Sequence, residues 1–209
     1  LGGVLKKAGY SIAIDDRDPQ GTARFYAKNF EVPLLEDAPE AELVLVDTPG
    51  HMRLEGELLD QITELIEGSD KLIIVTEKSP SAIHGTAPMV RLVNEKKREG
   101  VTAFLLFNKV RRGTALGQQP STDIAADLGL PSLETELVLS TSFATAFVAG
   151  MGSVTGKYRE DLIGLALDYV PGSLRIKRTI RTKKSRGVKA KNPHPYKRHQ
   201  SQQRRKQRS

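Results

Sequence analysis

Residues 43–50, Leu-Val-Leu-Val-Asp-Thr-Pro-Gly, constrain the fold of this chain more than any other stretch. Four apolar residues, two of them β-branched, run straight into a carboxylate and a Pro-Gly turn. A run that is apolar at consecutive positions, and not alternating, suits a strand covered on both faces, the situation of parallel sheets flanked by helices. Parallel strands need long crossover connections, so a chain built on such runs is α/β. The acid that ends the run, Asp47, would sit at the carboxyl edge of the sheet, where open α/β sheets place their ligands and where it could hold a Mg²⁺ on a nucleotide phosphate. A strand that ends in an Asx-type turn with no ligand fits this stretch equally well. The neighbouring strands decide.

Those neighbours repeat the pattern. Residues 11–14 form a short apolar strand that runs into Asp15-Asp16-Arg17-Asp18-Pro19-Gln20-Gly21. Residues 71–76, 101–107 and 133–139 are further strands, the second ending at Asn108, and 32–35 is a Pro-punctuated edge strand. Between them, 1–8, 22–29, 54–66, 86–97, 121–128, 143–149 and 158–170 read as helices. In 54–66 the residues Leu54, Leu58, Leu59, Ile62, Leu65 and Ile66 line one helical face. This alternation predicts a doubly wound, mostly parallel sheet with flanking helices and right-handed crossovers. Three strand ends then present polar groups on one rim: Asp16 with Asp18, Asp47, and Asn108. Asp15, Asp16 and Asp18 repel one another unless a cation or a basic partner is near. An exposed acidic turn screened by water is the other reading. His51 and His84 have no second histidine at metal-binding spacing and read as surface or packing residues.

At 209 residues with 38% apolar content, the chain has enough for one sizeable core. It contains no cysteine, so disulfides and thiolate metal sites are excluded. No apolar run is long enough to cross a bilayer. The net charge of +7 conceals a division. Fifteen of the 32 basic residues and none of the 25 acids lie in 173–209, so residues 1–172 carry a net charge of −8. Rich in Lys, Arg, Gln and Ser, the segment 173–209 cannot bury enough apolar surface to fold alone and is expected to be disordered. Arg175, Lys177, Arg178, Arg181, Lys183, Lys184 and Arg186 are the residues expected to neutralise nucleic-acid phosphates without sequence preference. Leu174, Ile176, Ile180, Val188 and Tyr196 are too few for a membrane-insertion face. A solubilising tail, or one that folds back on the acidic body, is the alternative.

Taken together, Ser11-Ile-Ala-Ile-Asp-Asp-Arg-Asp-Pro-Gln-Gly resembles the Asp-x-Asp-Pro-Gln-Gly switch segment of the ParA/MinD partitioning ATPases, which carry a deviant Walker A loop. Residues 43–49 resemble that family's second acidic strand, and Phe107-Asn-Lys-Val its base-contacting loop; order and spacing agree over 1–170. The resemblance implies a P-loop NTPase-like fold for 1–172 and ATP with Mg²⁺ as cofactors. Asp47 would hold the metal through a water. Asp18 would orient the water that attacks the γ-phosphate, with Asp16 supporting the metal shell, and Asn108 would read adenine, since its amide both donates and accepts. It also implies an ATP-dependent homodimer, a ParB-like activator, non-specific DNA binding and a cytoplasmic, nucleoid-associated location, with plasmid or chromosome partitioning as the role.

Residues 1–10 resemble the back half of the helix after the family's phosphate loop. The loop itself, and the strand before it, are absent from these 209 residues and are expected upstream of Leu1, so the chain by itself is expected to bind nucleotide poorly and not to hydrolyse it. Two alternatives stand beside the ATPase. One is a catalytically inactive nucleic-acid-binding adaptor on the same fold. The other is a GTPase, suggested by Asp47-Thr-Pro-Gly-His51 and Asn108-Lys109. Guanine recognition, however, needs an acid where Arg111 stands, and a guanidinium cannot accept a hydrogen bond.

Overall fold

The computed structural model describes residues 1–50, 54–141, 154 and 156–169, all within one unit spanning Leu1–Leu174. The expected helix 143–149 and the basic segment from 173 lie outside the described residues. In chain order the elements are α1 (Gly2–Lys7), β1 (Ile12–Asp16), α2 (Thr22–Asn29), β2 (Leu43–Asp47), α3 (Gly56–Gly68) and β3 (Lys71–Glu77). They continue with α4 (Pro80–Lys96), β4 (Thr102–Asn108), α5 (Ala115–Gln118), α6 (Ser121–Leu128) and α7 (Gly156–Tyr169). The α/β architecture with parallel strands and flanking helices is as the sequence alternation predicts.

The strands form two parallel pairs. In one, β1 lies beside β2 with Ile12 opposite Leu43 and Asp16 opposite Asp47. In the other, β3 lies beside β4 with Lys71 opposite Thr102 and Glu77 opposite Asn108. The two pairs are not hydrogen-bonded to each other, so the continuous sheet expected from the alternation is divided in two.

Each pair has a partial third strand on its outer side. Ile14 N donates to Pro33 O at 3.0 Å and Leu35 N donates to Ile14 O at 2.8 Å. The expected edge strand 32–35 thus shrinks to a bridge at Leu34, because Pro33 has no N–H to extend the ladder. Likewise 133–139 is not a continuous strand. Ser132 bridges Leu105 of β4 and Val138 bridges Val110, two residues beyond β4, while Thr135 turns aside to donate to Asp168 of α7 at 2.9 Å and Glu136 turns to Lys78.

Apolar side chains pack on both faces of the β3–β4 pair. On one face Ile62 and Ile66 of α3, Val90 and Val93 of α4, and Ile124 and Ala125 of α6 enclose Leu105 and Phe107. On the other, Tyr158, Leu162 and Leu165 of α7 cover Leu106, Leu133 and Leu137. A third cluster joins Leu5 of α1, Ile12, Val32 and Ala166. Leu1, Val4 and Phe30 pack against both of the latter clusters.

Helix α4 starts six residues before the periodic stretch 86–97. Ser79 caps it by accepting from Ala82 N at 3.3 Å, and Pro80 supplies a preset φ at its first position. Helices α2 and α6 have the bounds expected from sequence.

Candidate functional site at the carboxyl rim

Strand β1 leads directly into the acidic loop, and the loop folds around its own carboxylates. Asp16 accepts from Asp18 N at 3.1 Å through Oδ1 and from Arg24 N at 2.7 Å through Oδ2. Arg24 lies in the first turn of α2, whose N-cap, Gly21, has no side chain to offer and sits at φ +65°. Asp16 therefore does the capping that a Ser or Asp at that position would do. Asp18 accepts from Gln20 N at 2.9 Å, an Asx turn, and its carbonyl accepts from Gly21 N at 2.9 Å. Asp15 is paired with Arg17 Nε at 2.8 Å. The next link runs to β2, where Arg17 N donates to Asp47 O at 2.9 Å.

These bonds bring Asp16, Asp18 and Asp47 together at one strand-pair end. Asp47 is exposed, and its carboxyl is pushed above the usual range, first by partial desolvation and then by the charges of Asp16 and Asp18. A carboxylate disfavoured by its neighbours gains from a nearby cation. Among the described residues no group of three or more His, Cys, Asp or Glu side chains is arranged to cage a metal.

Asn108 stands at the end of the other pair and has no described bond to the acidic cluster. Its Oδ1 accepts from Lys109 N at 2.8 Å. Lys109 adopts φ +51°, turning the chain sharply at the rim, and its Nζ pairs with Glu77 Oε1 at 2.9 Å. Position 111, where guanine recognition needs an acid, is an exposed arginine whose carbonyl receives Thr114 N and Thr114 Oγ1.

The structure adds a residue that the sequence pattern did not mark. Lys78 follows β3, and its side chain is 2% exposed. Its Nζ donates to Glu136 Oε1 at 2.7 Å and to Gln119 O at 2.6 Å, and lies 5.6 Å from the centre of the Phe107 ring. Ser121 Oγ donates to the same Glu136 oxygen at 2.6 Å. Burial pushes the Glu136 carboxyl up, but hydrogen bonds from Lys78 and Ser121 and the charges of Lys78 and Arg112 outweigh it, so the net shift is downward. This cluster ties the end of β3, the start of α6 and residues 136–138 to one another, and Leu137 next to Glu136 bonds the chain on either side of Asn108, its N to Phe107 O and its O to Val110 N. The signal in the sequence was only a lysine between a strand and a Ser-Pro helix start. Arg175, Lys177, Arg178, Arg181, Lys183, Lys184 and Arg186 lie outside the described residues.

No family model and no curated protein sequence matches the chain. Solved structures do. The MinD cell division protein of Aquifex aeolicus superposes with a TM-score of 0.56 at 13% identity, covering 84% of this chain and 91% of that one. The MinC:MinD cell division protein complex of the same organism gives 0.59 at 14% identity, covering 85% and 90%. The fold is MinD's. Such a MinD-like, P-loop NTPase-like scaffold accounts for the acidic cluster and Asn108 both falling at the carboxyl ends of parallel strands.

Proposed function

We propose that the chain is the main part of a ParA/MinD-type ATPase that binds Mg-ATP at the rim and DNA through its basic C-terminal segment. The observation that carries this reading is the convergence of Asp16, Asp18 and Asp47 at one strand-pair end, with Asp47 held above its ordinary pKa by partial desolvation and then by the charges of the other two. In this reading Mg²⁺, when bound with the nucleotide, supplies neutralisation of the phosphate charge. Asp47 would hold it through a water with Asp16 supporting the metal shell, Asp18 would orient the attacking water, and Asn108 would read adenine. That one similar structure is a complex of MinD with MinC is in keeping with a protein partner; the partners assigned here are a second copy in an ATP-dependent homodimer and a ParB-like activator on plasmid or chromosome DNA. The domain limits follow: 1–172 for the nucleotide-binding body and 173–209 for DNA, in a cytoplasmic, nucleoid-associated protein. Among the described residues no helix is long and apolar enough to cross a membrane.

A cradle for the nucleotide phosphates, Gly-rich with a lysine and a Ser or Thr, is not found in these 209 residues. The ATPase reading therefore assigns it, with the strand before it, to sequence upstream of Leu1. The same observation favours the second reading, an inactive nucleic-acid-binding adaptor. Reading the coding DNA upstream of Leu1 separates them. A strand followed by Gly-Lys-Ser/Thr predicts that the extended protein hydrolyses ATP and that Asp18→Ala binds ATP without hydrolysing it. An upstream stretch without that loop refutes the enzyme. Deleting 173–209 is expected to abolish salt-sensitive DNA retention; undiminished binding by 1–172 refutes the tail as the DNA contact.

A further inference from the structure

One residue sets the polar geometry at the end of the β3–β4 pair. Lys109 follows β4 directly at φ +51°, an uncommon conformation for a residue with a Cβ. From there its backbone N donates to Asn108 Oδ1 at 2.8 Å while its Nζ donates to Glu77 Oε1 at 2.9 Å. Glu77 and Asn108 are themselves register partners, the last residues of β3 and β4. Side chains alternate along a strand, so Glu77 shares the face of Ile73 and Asn108 the face of Leu106. Ile73 and Leu106 both belong to the cluster under α7. The two polar side chains therefore stand side by side on one face of the rim.

Each of the two is held by one oxygen. Among the described residues, Asn108 Nδ2 and Glu77 Oε2 have no protein hydrogen-bond partner. The side chains of Lys109 and Glu77 are 58% and 44% exposed, and ion pairs this exposed add little stability. What the lysine fixes is orientation. It leaves Asn108 its two amide N–H donors and Glu77 one carboxylate oxygen, a donor beside an acceptor.

We propose that Glu77 and Lys109 complete the base-reading site to which Asn108 belongs. Glu77 Oε2 accepts from the exocyclic amino group of adenine, and Asn108 Nδ2 donates to the ring nitrogen beside it. The inference rests on the nucleotide reading of the rim. Glu77 makes the contact that sets specificity, and Lys109 is a positioning residue that acts through the other two. A donor next to an acceptor is the pattern adenine presents at N6 and N7. Guanine does not match on either edge. Its O6 and N7 are both acceptors and would bring lone pairs against the carboxylate. Its N1–H and N2–H are adjacent donors that call for both carboxylate oxygens, and Lys109 holds one of them. Rejection of guanine thus comes from Lys109 as well as from the arginine at position 111.

Nucleosides are the probes, since they carry no phosphate and need no phosphate cradle. The isotope-labelled 209-residue protein is titrated with adenosine, guanosine and purine riboside, which lacks the amino group, and binding is read by NMR at the side-chain amide of Asn108. Adenosine is expected to bind roughly tenfold or more tightly than purine riboside, the worth of one hydrogen bond to a charged group. In Glu77→Gln, with the side-chain oxygen held by Lys109, an NH₂ group would meet the base's amino group, and the ratio should fall to about one. Lys109→Met frees Glu77 Oε1 and should raise guanosine affinity relative to adenosine, whereas Lys109→Arg should keep the wild-type order. Each variant is first shown to be folded by circular dichroism. Equal wild-type affinity for adenosine and purine riboside, or an unchanged ratio in Glu77→Gln, overturns Glu77 as the acceptor while the rim still binds a base. A Lys109→Met protein that weakens all three nucleosides by one factor overturns the positioning role. No change at Asn108 with any purine overturns the nucleotide reading of the rim, and this inference with it.

Discussion

Replacing Lys78 with methionine tests whether the cluster under the Asn108 loop acts as a buried ionic brace. Methionine keeps the stem of the side chain and removes three donors. The Gln119 carbonyl then loses the lysine donor, and Glu136 Oε1 loses one of its two. Losing a charge-assisted bond costs about 1.5–3 kcal/mol, and a stranded buried acceptor roughly 1–3 kcal/mol more. Removing one member of a fully buried pair costs about 3–5 kcal/mol. Glu136 keeps the bond from Ser121 and has a side chain 23% exposed, so water can partly replace the ammonium. Lys78→Met is therefore expected to destabilise by about 3 kcal/mol, the low end of that range. For a body of this size that lowers Tm by roughly 6–12 °C.

Urea unfolding followed by circular dichroism at neutral pH reads this directly, and adding Glu136→Gln to Lys78→Met should restore at least half of the loss. The pH dependence has a fixed sign. The Glu136 carboxyl is lowered in the folded protein, so its stabilising contribution is complete above its unfolded pKa and is lost as pH falls through the folded value. The gap between wild type and Lys78→Met should close on acidification. A variant within 0.5 kcal/mol of wild type at pH 7, the behaviour of a surface lysine, would refute the buried brace.

Three further substitutions probe the rim and its supports. Asp47→Asn removes a carboxylate whose pKa is raised by desolvation and by Asp16 and Asp18; the contribution of such a group is complete below its unfolded pKa and is lost as pH rises through the folded value, so the variant should have a urea midpoint at pH 7 equal to or above wild type, and a lower one contradicts the repulsion. Asp16→Ala frees the backbone amides of Asp18 and Arg24 and should cost about 1 kcal/mol with faster exchange in the first turn of α2, whereas protection unchanged at Arg24 would remove Asp16 from the capping role. Gly117→Ala would drive a Cβ into the Arg111 carbonyl and should destabilise by about 2 kcal/mol or more; an unchanged Tm shows that the Arg111–Gly117 turn is soft.

The parts of this fold that were legible in the sequence are those fixed by neighbours along the chain. Helices α2 and α6 are bounded by Gly21 and Gly129, both at positive φ, and each long strand announces itself by an apolar run stopped by a polar residue. What could not be read depended on distant partners. The strap after α6 has the composition of a strand, yet Thr135 and Glu136 leave the ladder for Asp168 and for Lys78, 58 residues before Glu136 in the chain. Lys78 looks like any lysine at a strand end until Glu136 and Gln119 arrive around it. The acids of the rim were visible as residue types, but the reach of Asp16 across eight residues to α2 was not. Nor was the break between the strand pairs, because apolar runs report how a strand wants to be covered and not whether its neighbour is present.

The double use of Asp16 ties two surfaces together. The carboxylate that stands opposite Asp47 also fixes the first turn of α2. The same helix carries Tyr26 stacked on Phe30, with ring centres 5.8 Å apart and planes 6° from parallel, and Phe25 edge-on to Tyr26 at 6.2 Å. A cation drawing on Asp16 competes with two amides for the same oxygens, so the helix start and the rim cannot be set independently.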